Sequence, residues 1–205
     1  MQITILGAGK VGSALAHAWL RAGHTMRFGV RAVDSPEIQA LLGELGSAAS
    51  VATVAEAIAF GDVVVFAIPG QAMEATIAAN AAALAGKVVI DAANKVGAAT
   101  MHSRESFTAH APTAQVFRAF NTLGWENFTR PRFGDIQADL FYCGPDGQAR
   151  RQVEQLIADV GLRPVWVGGP EQTAVVDALA GLWFALALGQ QRGRHLAFKL
   201  LTDEA

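Results

Sequence analysis

Ile3, Ile5 and Leu6 form a short apolar run that ends in glycines, and Val11, Leu15, Ala18 and Trp19 follow at helical spacing. That pattern predicts a strand, a tight turn and a helix. Gly23 stops the helix as a C′ residue would, after which Met26, Phe28 and Val30 alternate with Arg27, Gly29 and Arg31 as a second strand over 25–31. Ser35-Pro36-Glu37 supplies an N-cap, a first-turn proline and an early acid ahead of Ile38, Leu41 and Leu42, so a second helix is expected up to Gly43–Gly46. A short helix over 53–60 precedes Val63-Val64-Val65-Phe66-Ala67-Ile68, a run apolar at every position as a strand covered on both faces would be. An alanine-rich helix over 72–84 then leads into Val88-Val89-Ile90, a further buried strand. Weaker signals follow: a helix over 103–109, strands over 116–120 and 140–142, a helix over 148–160 and a strand over 164–167, expected to extend the same sheet.

From Glu171 the pattern changes. Val175, Leu179, Leu182, Trp183 and Leu186 recur at helical spacing in a segment apolar nearly all round, which implies a buried helix or one paired with a partner. After Gly189 a second, more basic helix is expected over 190–201. The repeated strand–helix alternation predicts an α/β fold: a doubly wound, mostly parallel Rossmann sheet over 1–168 with a short C-terminal helical extension over 169–205.

Composition narrows what such a fold does. Sixteen Lys and Arg against 18 Asp and Glu leave a net charge of −2, too balanced for the basic field that non-specific nucleic-acid binding needs. Cys143 is the single cysteine, which excludes an intrachain disulfide and a thiolate metal cluster and fits a reducing compartment. The N-terminal run is too short and lacks the basic start of a signal peptide. The most apolar window, Ala174 to Leu188, contains Asp177 and falls short of the ~20 residues that cross a bilayer. The expectation is a cytoplasmic protein with no nucleic-acid or membrane partner.

The chemistry is expected at the strand ends. Gly7-Ala8-Gly9-Lys10-Val11-Gly12 is a G-x-G-x-x-G between a strand and a helix, the context that gives this motif meaning. Its first glycine permits the turn, its second lets a pyrophosphate approach the backbone, and its third lets helix and strand pack closely. Free N–H groups at the helix start face the phosphates. Where an NAD site usually has an acid, about 20 residues on, this chain has Arg31, 19 positions after Gly12. A guanidinium cannot accept the ribose hydroxyl protons but matches a phosphate, so Arg31 points to NADP, with Lys10 adding charge to the same phosphate. The other reading has Asp34 serving the ribose. Ligands in such sheets bind beyond the carboxyl ends of the strands, which selects Ala67-Ile68-Pro69-Gly70, Ala93-Asn94 and Phe120-Asn121-Thr122. The five histidines, His17, His24, His102, His110 and His195, show no metal spacing, and no metal site or acid–base residue is assigned.

These motifs, with the Gly29-Val30-Arg31 strand end, Asp91-Ala92-Ala93-Asn94 and the tail Leu182-Trp183-Phe184 … Arg194-His195-Leu196-Ala197-Phe198-Lys199-Leu200, resemble the deazaflavin-dependent NADP oxidoreductases. The resemblance covers nearly the whole chain and extends to the reductase domain of the membrane ferric reductases. It implies that NADP(H) binds with its pyrophosphate on Gly7–Gly12, its 2′-phosphate on Arg31 and its nicotinamide near Ile68, Pro69 and Asn121. It also implies a flat acceptor, 8-hydroxy-5-deazaflavin or FMN, and a dimer. Where archaeal members carry a Ser-Arg-Arg run, this chain has Val30-Arg31-Ala32, a thinner phosphate clamp.

Hydride transfer between two stacked rings needs proximity and orientation more than an acid or a base, so no catalytic side chain has to be visible. Two other functions fit the same motifs: an imine or hydroxyacid reductase using Lys199 as its acid, and a non-catalytic NADP(H)-binding redox sensor. The basic residues Arg192, Arg194, His195 and Lys199 read as a solvated helix end or as a patch that steers an anionic acceptor. The apolar 175–188 helix is the expected homodimer contact.

Overall fold

The computed structural model describes residues 1–203. Its main sheet has six parallel strands, built from β1 (Gln2–Leu6), β2 (Thr25–Gly29), β3 (Ala49–Ala52), β4 (Val63–Phe66), β5 (Val88–Asp91) and β6 (Gln115–Arg118). They lie in the order β3-β2-β1-β4-β5-β6, with the direction of winding reversing between β1 and β4. That is the Rossmann order, and the reversal opens a crevice at the carboxyl ends of β1 and β4 where ligands of such sheets bind.

The pleat explains the unbroken apolar runs. Ile3 and Ile5 of β1 and Val63 and Val65 of β4 enter one core with Met26, Phe28, Ile90 and Phe117. Leu6, Val64, Phe66 and Val89 enter the other, with Ile58, Ile77 and Phe107. Two cores on two faces leave no position of β4 for a polar residue. The crossovers are α1 (Lys10–Arg21), α2 (Pro36–Leu45), α3 (Val54–Phe60), the pair α4 (Met73–Ala79) and α5 (Ala81–Leu84), and α6 (Arg104–His110). Ser35 caps α2 by accepting from the Ile38 N–H at 3.3 Å, as its sequence predicts. The expected single helix over 72–84 is broken at Asn80, whose side chain donates to the Thr76 carbonyl at 2.8 Å.

Beyond β6 the chain departs from the expected extension of the sheet. Helix α7 (Glu126–Thr129) and the hairpin β7–β8 (Arg132–Phe133, Ile136–Gln137) precede β9 (Asp139–Tyr142), α8 (Gln148–Asp159) and β10 (Arg163–Trp166). β9 and β10 form their own two-stranded parallel sheet, which meets the main one through a single antiparallel bridge between Arg118 and Cys143. Gly144, at φ +157° against the Phe117 ring, and Pro145, which has no N–H, end that pairing after one residue.

Residues Pro170–Gly189 are helical throughout, with α9 (Thr173–Phe184) between a 3₁₀ turn and a π turn. This run is long and apolar enough to cross a membrane by length and composition, contrary to the shorter window expected from sequence, and a third of it is buried. It is docked on the sheet through Asp177 and Trp183.

The helix expected over 190–201 does not form. Gln191 (φ 53°) and Gly193 (φ 85°) adopt left-handed backbone, and the tail runs extended against β9. There the buried Asp139 carboxylate accepts from Arg163 (2.7 and 2.6 Å), Lys199 Nζ (2.8 Å) and the Leu200 N–H (2.7 Å). A buried carboxylate with four donors, together with the packing of Leu196, Ala197 and Phe198 on the core, outweighs the modest helical preference of a twelve-residue segment.

Candidate active site

The first two strand ends and the fourth enclose a cavity of about 660 Å³, lined by Gly7, Ala8, Gly9, Arg31, Ala67, Ile68 and Pro69 among others. A second cavity of about 220 Å³ shares Ala67 and Ile68 with it and adds Val11, Asn94, Phe120, Asn121, Trp125, Trp183, Phe184 and Arg194. The two make one groove across the sheet's switch point. Ten of the twelve residues expected at the cofactor line it; Lys10 and Gly12 do not.

Each glycine has a distinct local reason. Gly7 has φ +97°, and a Cβ on it would stand 2.6 Å from the Ala67 carbonyl oxygen. Gly12 is buried, with a Cβ position 2.3 Å from the Gly7 carbonyl oxygen, so its role is α1–β1 packing. Gly9 is different: a Cβ there would meet nothing within 4 Å. Its bareness is not needed by the fold and leaves the backbone open to a ligand. The start of α1 at Gly9 has no side-chain cap and no acid in its first turn, so its N–H groups and dipole are free for an anion. These features fit a dinucleotide pyrophosphate.

Arg31 is exposed at the rim of the larger cavity and, among the described residues, has no hydrogen bond or ion pair. Ser35, which also lines the cavity, is committed to its cap. Lys10 does not line the cavity of Arg31: its Nζ lies 5.6 Å from the centre of the Trp125 ring, in a neighbouring groove that shares Ala8 and Gly9 with that cavity.

At the other end of the groove, Asn94 and Asn121 belong to a buried polar ring that sequence reasoning missed. Arg118, 3% exposed at the end of β6, donates from Nε to Asp177 Oδ1 (2.8 Å) and from Nη2 to Asn94 Oδ1 (2.6 Å). Its Nη1 donates to the carbonyls of Asp91 (3.2 Å) and Ala93. Asn94 Nδ2 donates to the Asn121 carbonyl (3.0 Å), and Asn121 Nδ2 donates to Asp177 Oδ1 (3.2 Å), which closes the ring. The Asp91 carboxylate, 3.2 Å from Arg118, also accepts from the N–H groups of Ala93 and Ser103; burial pushes its pKa up against the pull of Arg118. The signal in the sequence is that Asp91, Arg118 and Asp177 each stand alone at the end of, or inside, an otherwise apolar run.

Phe120 adds backbone strain beside this ring. Its φ is 62°, a region unfavourable for a bulky side chain, and it is held by edge-to-face contacts with Trp19 (5.7 Å) and Phe128 (5.6 Å). The turn it makes carries the chain from β6 into the smaller cavity at Asn121. Of the tail residues, Arg194 pairs with Glu126 (2.6 Å), His195 stacks on Phe133 and meets the Arg130 carbonyl (2.9 Å), and Lys199 is bound to Asp139 and the Gln137 carbonyl. The basic patch is therefore largely consumed by structural contacts. Among the described residues there is no cluster of three or more metal-ligating side chains.

Residues 2–95 match the family described as NADP oxidoreductase, coenzyme F420-dependent. The resemblance read from the motifs is borne out, and the matched family is one of NADP-dependent oxidoreductases. The chain is also similar along its length to a protein from Arthrobacter sp. FB24 with a provisional assignment as an F420-dependent NADP-reductase, at 25% identity, TM-score 0.83, and 98% and 99% coverage of the two chains. A hypothetical protein from Sinorhizobium meliloti matches at 26% identity and TM-score 0.71 over 99% and 96% of the chains. The imine reductase of Aspergillus terreus, solved with NADPH4 and dibenz[c,e]azepine, shares the fold at 24% identity and TM-score 0.68. This chain is covered to 92% in that match but spans 63% of the imine reductase.

Proposed function

We propose that the protein is a cytoplasmic NADPH-dependent oxidoreductase that transfers a hydride between NADP(H) and a deazaflavin or flavin-type acceptor. The observation that carries this reading is the single groove running from the unpaired Arg31, past the bare Gly9 turn, to a small cavity walled by Trp125, Trp183 and Phe184. Adenosine and its 2′-phosphate fit the larger cavity at Arg31, the pyrophosphate the start of α1, and the nicotinamide the smaller cavity beside Ile68 and Asn121.

When bound, NADPH supplies a hydride to the acceptor ring, which takes one further proton from solvent, leaving NADP⁺ and the two-electron-reduced acceptor. The chain's own part is binding and alignment. Arg31 offers a fork of donors to a phosphate, the α1 N–H groups hold the pyrophosphate, and the ring of Asn94, Asn121, Arg118 and Asp177 fixes the floor of the nicotinamide end. The aromatic walls exclude water from the face where the two rings stack.

A homodimer through α9 belongs to the same proposal. Val175, Leu182 and Leu188 are about half exposed, and Asp177, the single charged residue between Thr173 and Gly189, faces inward to Arg118. A charge-free apolar stripe next to the acceptor walls suits an isologous contact.

The imine-reductase reading has the fold likeness in its favour, but the Lys199 it would use as an acid is bound to Asp139, away from both cavities. The deciding experiment is NADPH oxidation with an 8-hydroxy-5-deazaflavin, with FMN, with cyclic imines and with no acceptor. Turnover with a deazaflavin or flavin supports the proposal; turnover with imines alone overturns it.

A further inference from the structure

β6 is the outer strand of the main sheet, and its pairing with the second sheet stops at Arg118 and Cys143 because Gly144 and Pro145 turn the chain away. On the amino-terminal side of that bridge the strand edge opens on a groove of about 400 Å³, within the ~300–1,000 Å³ of small-ligand sites. Phe107, Pro112, Val116, Pro145 and Pro170 give it apolar walls, stiffened by the three proline rings. It shares no lining residue with the two cavities of the cofactor groove. Gln115 donates its N–H to Lys87 and Arg118 pairs with Cys143, so the edge open between them is too short for an added peptide strand, and the groove suits a small molecule.

The rim carries donors without partners. His102 Nδ1 accepts from the Arg104 N–H at 3.3 Å, which leaves the proton of the neutral ring on Nε2. The Arg104 guanidinium is exposed and, among the described residues, has no hydrogen bond or ion pair. Glu105, the one acid of α6, is not among the lining residues. The Asp91 carboxylate at the floor is spent on Arg118 and on the N–H groups of Ala93 and Ser103. An imidazole N–H, a guanidinium fork and apolar walls match a carboxylate on a compact apolar body.

The same rim is tied to the nicotinamide end. Ser103, between His102 and Arg104, donates its N–H to Asp91 Oδ2 (3.0 Å), and Asp91 Oδ1 meets Arg118 Nη1 (3.2 Å). Arg118 Nη2 donates to Asn94 Oδ1 (2.6 Å), and Asn94 lines the smaller cavity. A ligand that engages His102 and Arg104 therefore bears on a buried chain of charged hydrogen bonds that ends beside the cofactor.

We propose that the groove is an effector site for a small aromatic or branched carboxylic acid, whose binding is coupled to that of NADPH through Ser103, Asp91, Arg118 and Asn94. The coupling rests on the placement of the nicotinamide in the smaller cavity proposed above; the binding of the acid does not.

The test titrates benzoate and 3-methylbutanoate, each beside its uncharged amide, into the protein by calorimetry, with and without saturating NADPH. One site per chain is expected, with at least one of the acids bound roughly tenfold more tightly than its amide. Arg104→Gln, and separately Gln115→Glu, which adds a carboxylate to the groove, should erase that preference while leaving the melting temperature and the Kd for NADPH alone unchanged. By reciprocity NADPH should shift the Kd of the acid severalfold, and the acid should shift the Kd of NADPH by the same factor. Saturable binding of neither acid, or binding indifferent to both variants, would overturn the site. Outright displacement of the acid by NADPH would overturn it too, by placing the acid in the cofactor groove. Binding at the groove with no shift in the Kd of NADPH would overturn the coupling. A protein that takes the acid at Arg104 but binds no NADPH would overturn the function proposed above, and the coupling with it, while the site itself stands.

Discussion

Arg118 Nε and Asp177 Oδ1 stand 2.8 Å apart with both side chains buried, linking the end of β6 to the apolar α9. Removing Arg118 strands the Asp177 and Asp91 carboxylates in a dry site, and removing Asp177 leaves Arg118 with Asp91 as its one remaining acid. Arg118→Met or Asp177→Asn should each lower stability by about 3–5 kcal/mol in urea unfolding. The double variant should lose less than the sum, because Arg118 and Asp177 no longer strand each other's charge, although Asp91 lacks its cation there as it does in Arg118→Met alone. Additive losses would mean that the two residues do not act as a pair.

The same pair marks where the sequence stops being legible. The strands β1, β4 and β5 and the helix α1 follow from local pattern, because burial on both faces and a glycine turn are written in adjacent residues. β3 was not, since Ala49–Ala52 is a half-buried edge strand with no alternation. The ring joining Asn94, Arg118, Asn121 and Asp177 depends on contacts across 24 to 59 positions, which no periodicity encodes. The tail misled for a related reason. Helical spacing of Leu196, Lys199 and Leu200 is real, but Asp139, some sixty residues earlier, captures that segment as an extended strap.

Gly9 and Gly12 should separate folding from binding. A methyl on Gly9 meets open space, so Gly9→Ala should keep the wild-type melting temperature and yet weaken NADPH severalfold or more by blocking close approach to the backbone. In Gly12→Ala the methyl would collide with the Gly7 carbonyl, and a loss of at least ~1–3 kcal/mol in stability is expected. Thermal melts with and without NADPH read both. Unchanged NADPH affinity in Gly9→Ala would remove the pyrophosphate from this turn.

Arg31 is free at the cavity rim, so its removal should cost affinity without costing stability. A charged hydrogen-bonding contact contributes about 1.5–3 kcal/mol, so Arg31→Ala should weaken NADPH by roughly 10- to 150-fold while changing NADH little. Calorimetric titration of both cofactors decides it. Equal losses for NADPH and NADH would rule out a 2′-phosphate role.

Asp139 makes the C-terminal strap sensitive to acid. Burial acts to raise its carboxyl, but donors from Arg163, Lys199 and the Leu200 N–H prevail and hold it below the ordinary value of 3.8. A depressed folded pKa gives stability that is present above the unfolded value and is lost as the pH falls through the folded one. The stability advantage of the wild type over Asp139→Asn should therefore be full near neutrality and shrink below about pH 4. Asp91, pushed up by burial, has the opposite sign and is common to both proteins, so it cancels in the difference. A gap that stays constant down to about pH 3 would show that the strap is not held by the ionised carboxylate.

Leu182 tests the proposed α9 contact. It is 48% exposed on a face that carries no charge, and in a two-fold contact a substitution at this position enters the interface twice. Leu182→Glu would place two carboxylates in an apolar seam with no cation nearby on α9, a cost of several kcal/mol if they stay ionised. Light scattering should give a dimer for the wild type and a monomer for the variant, with NADPH binding retained because Leu182 lines neither cofactor cavity. A wild-type monomer at high concentration would show that this face stays bare, and the walls formed by Trp183 and Phe184 would then have to serve the acceptor from one chain alone.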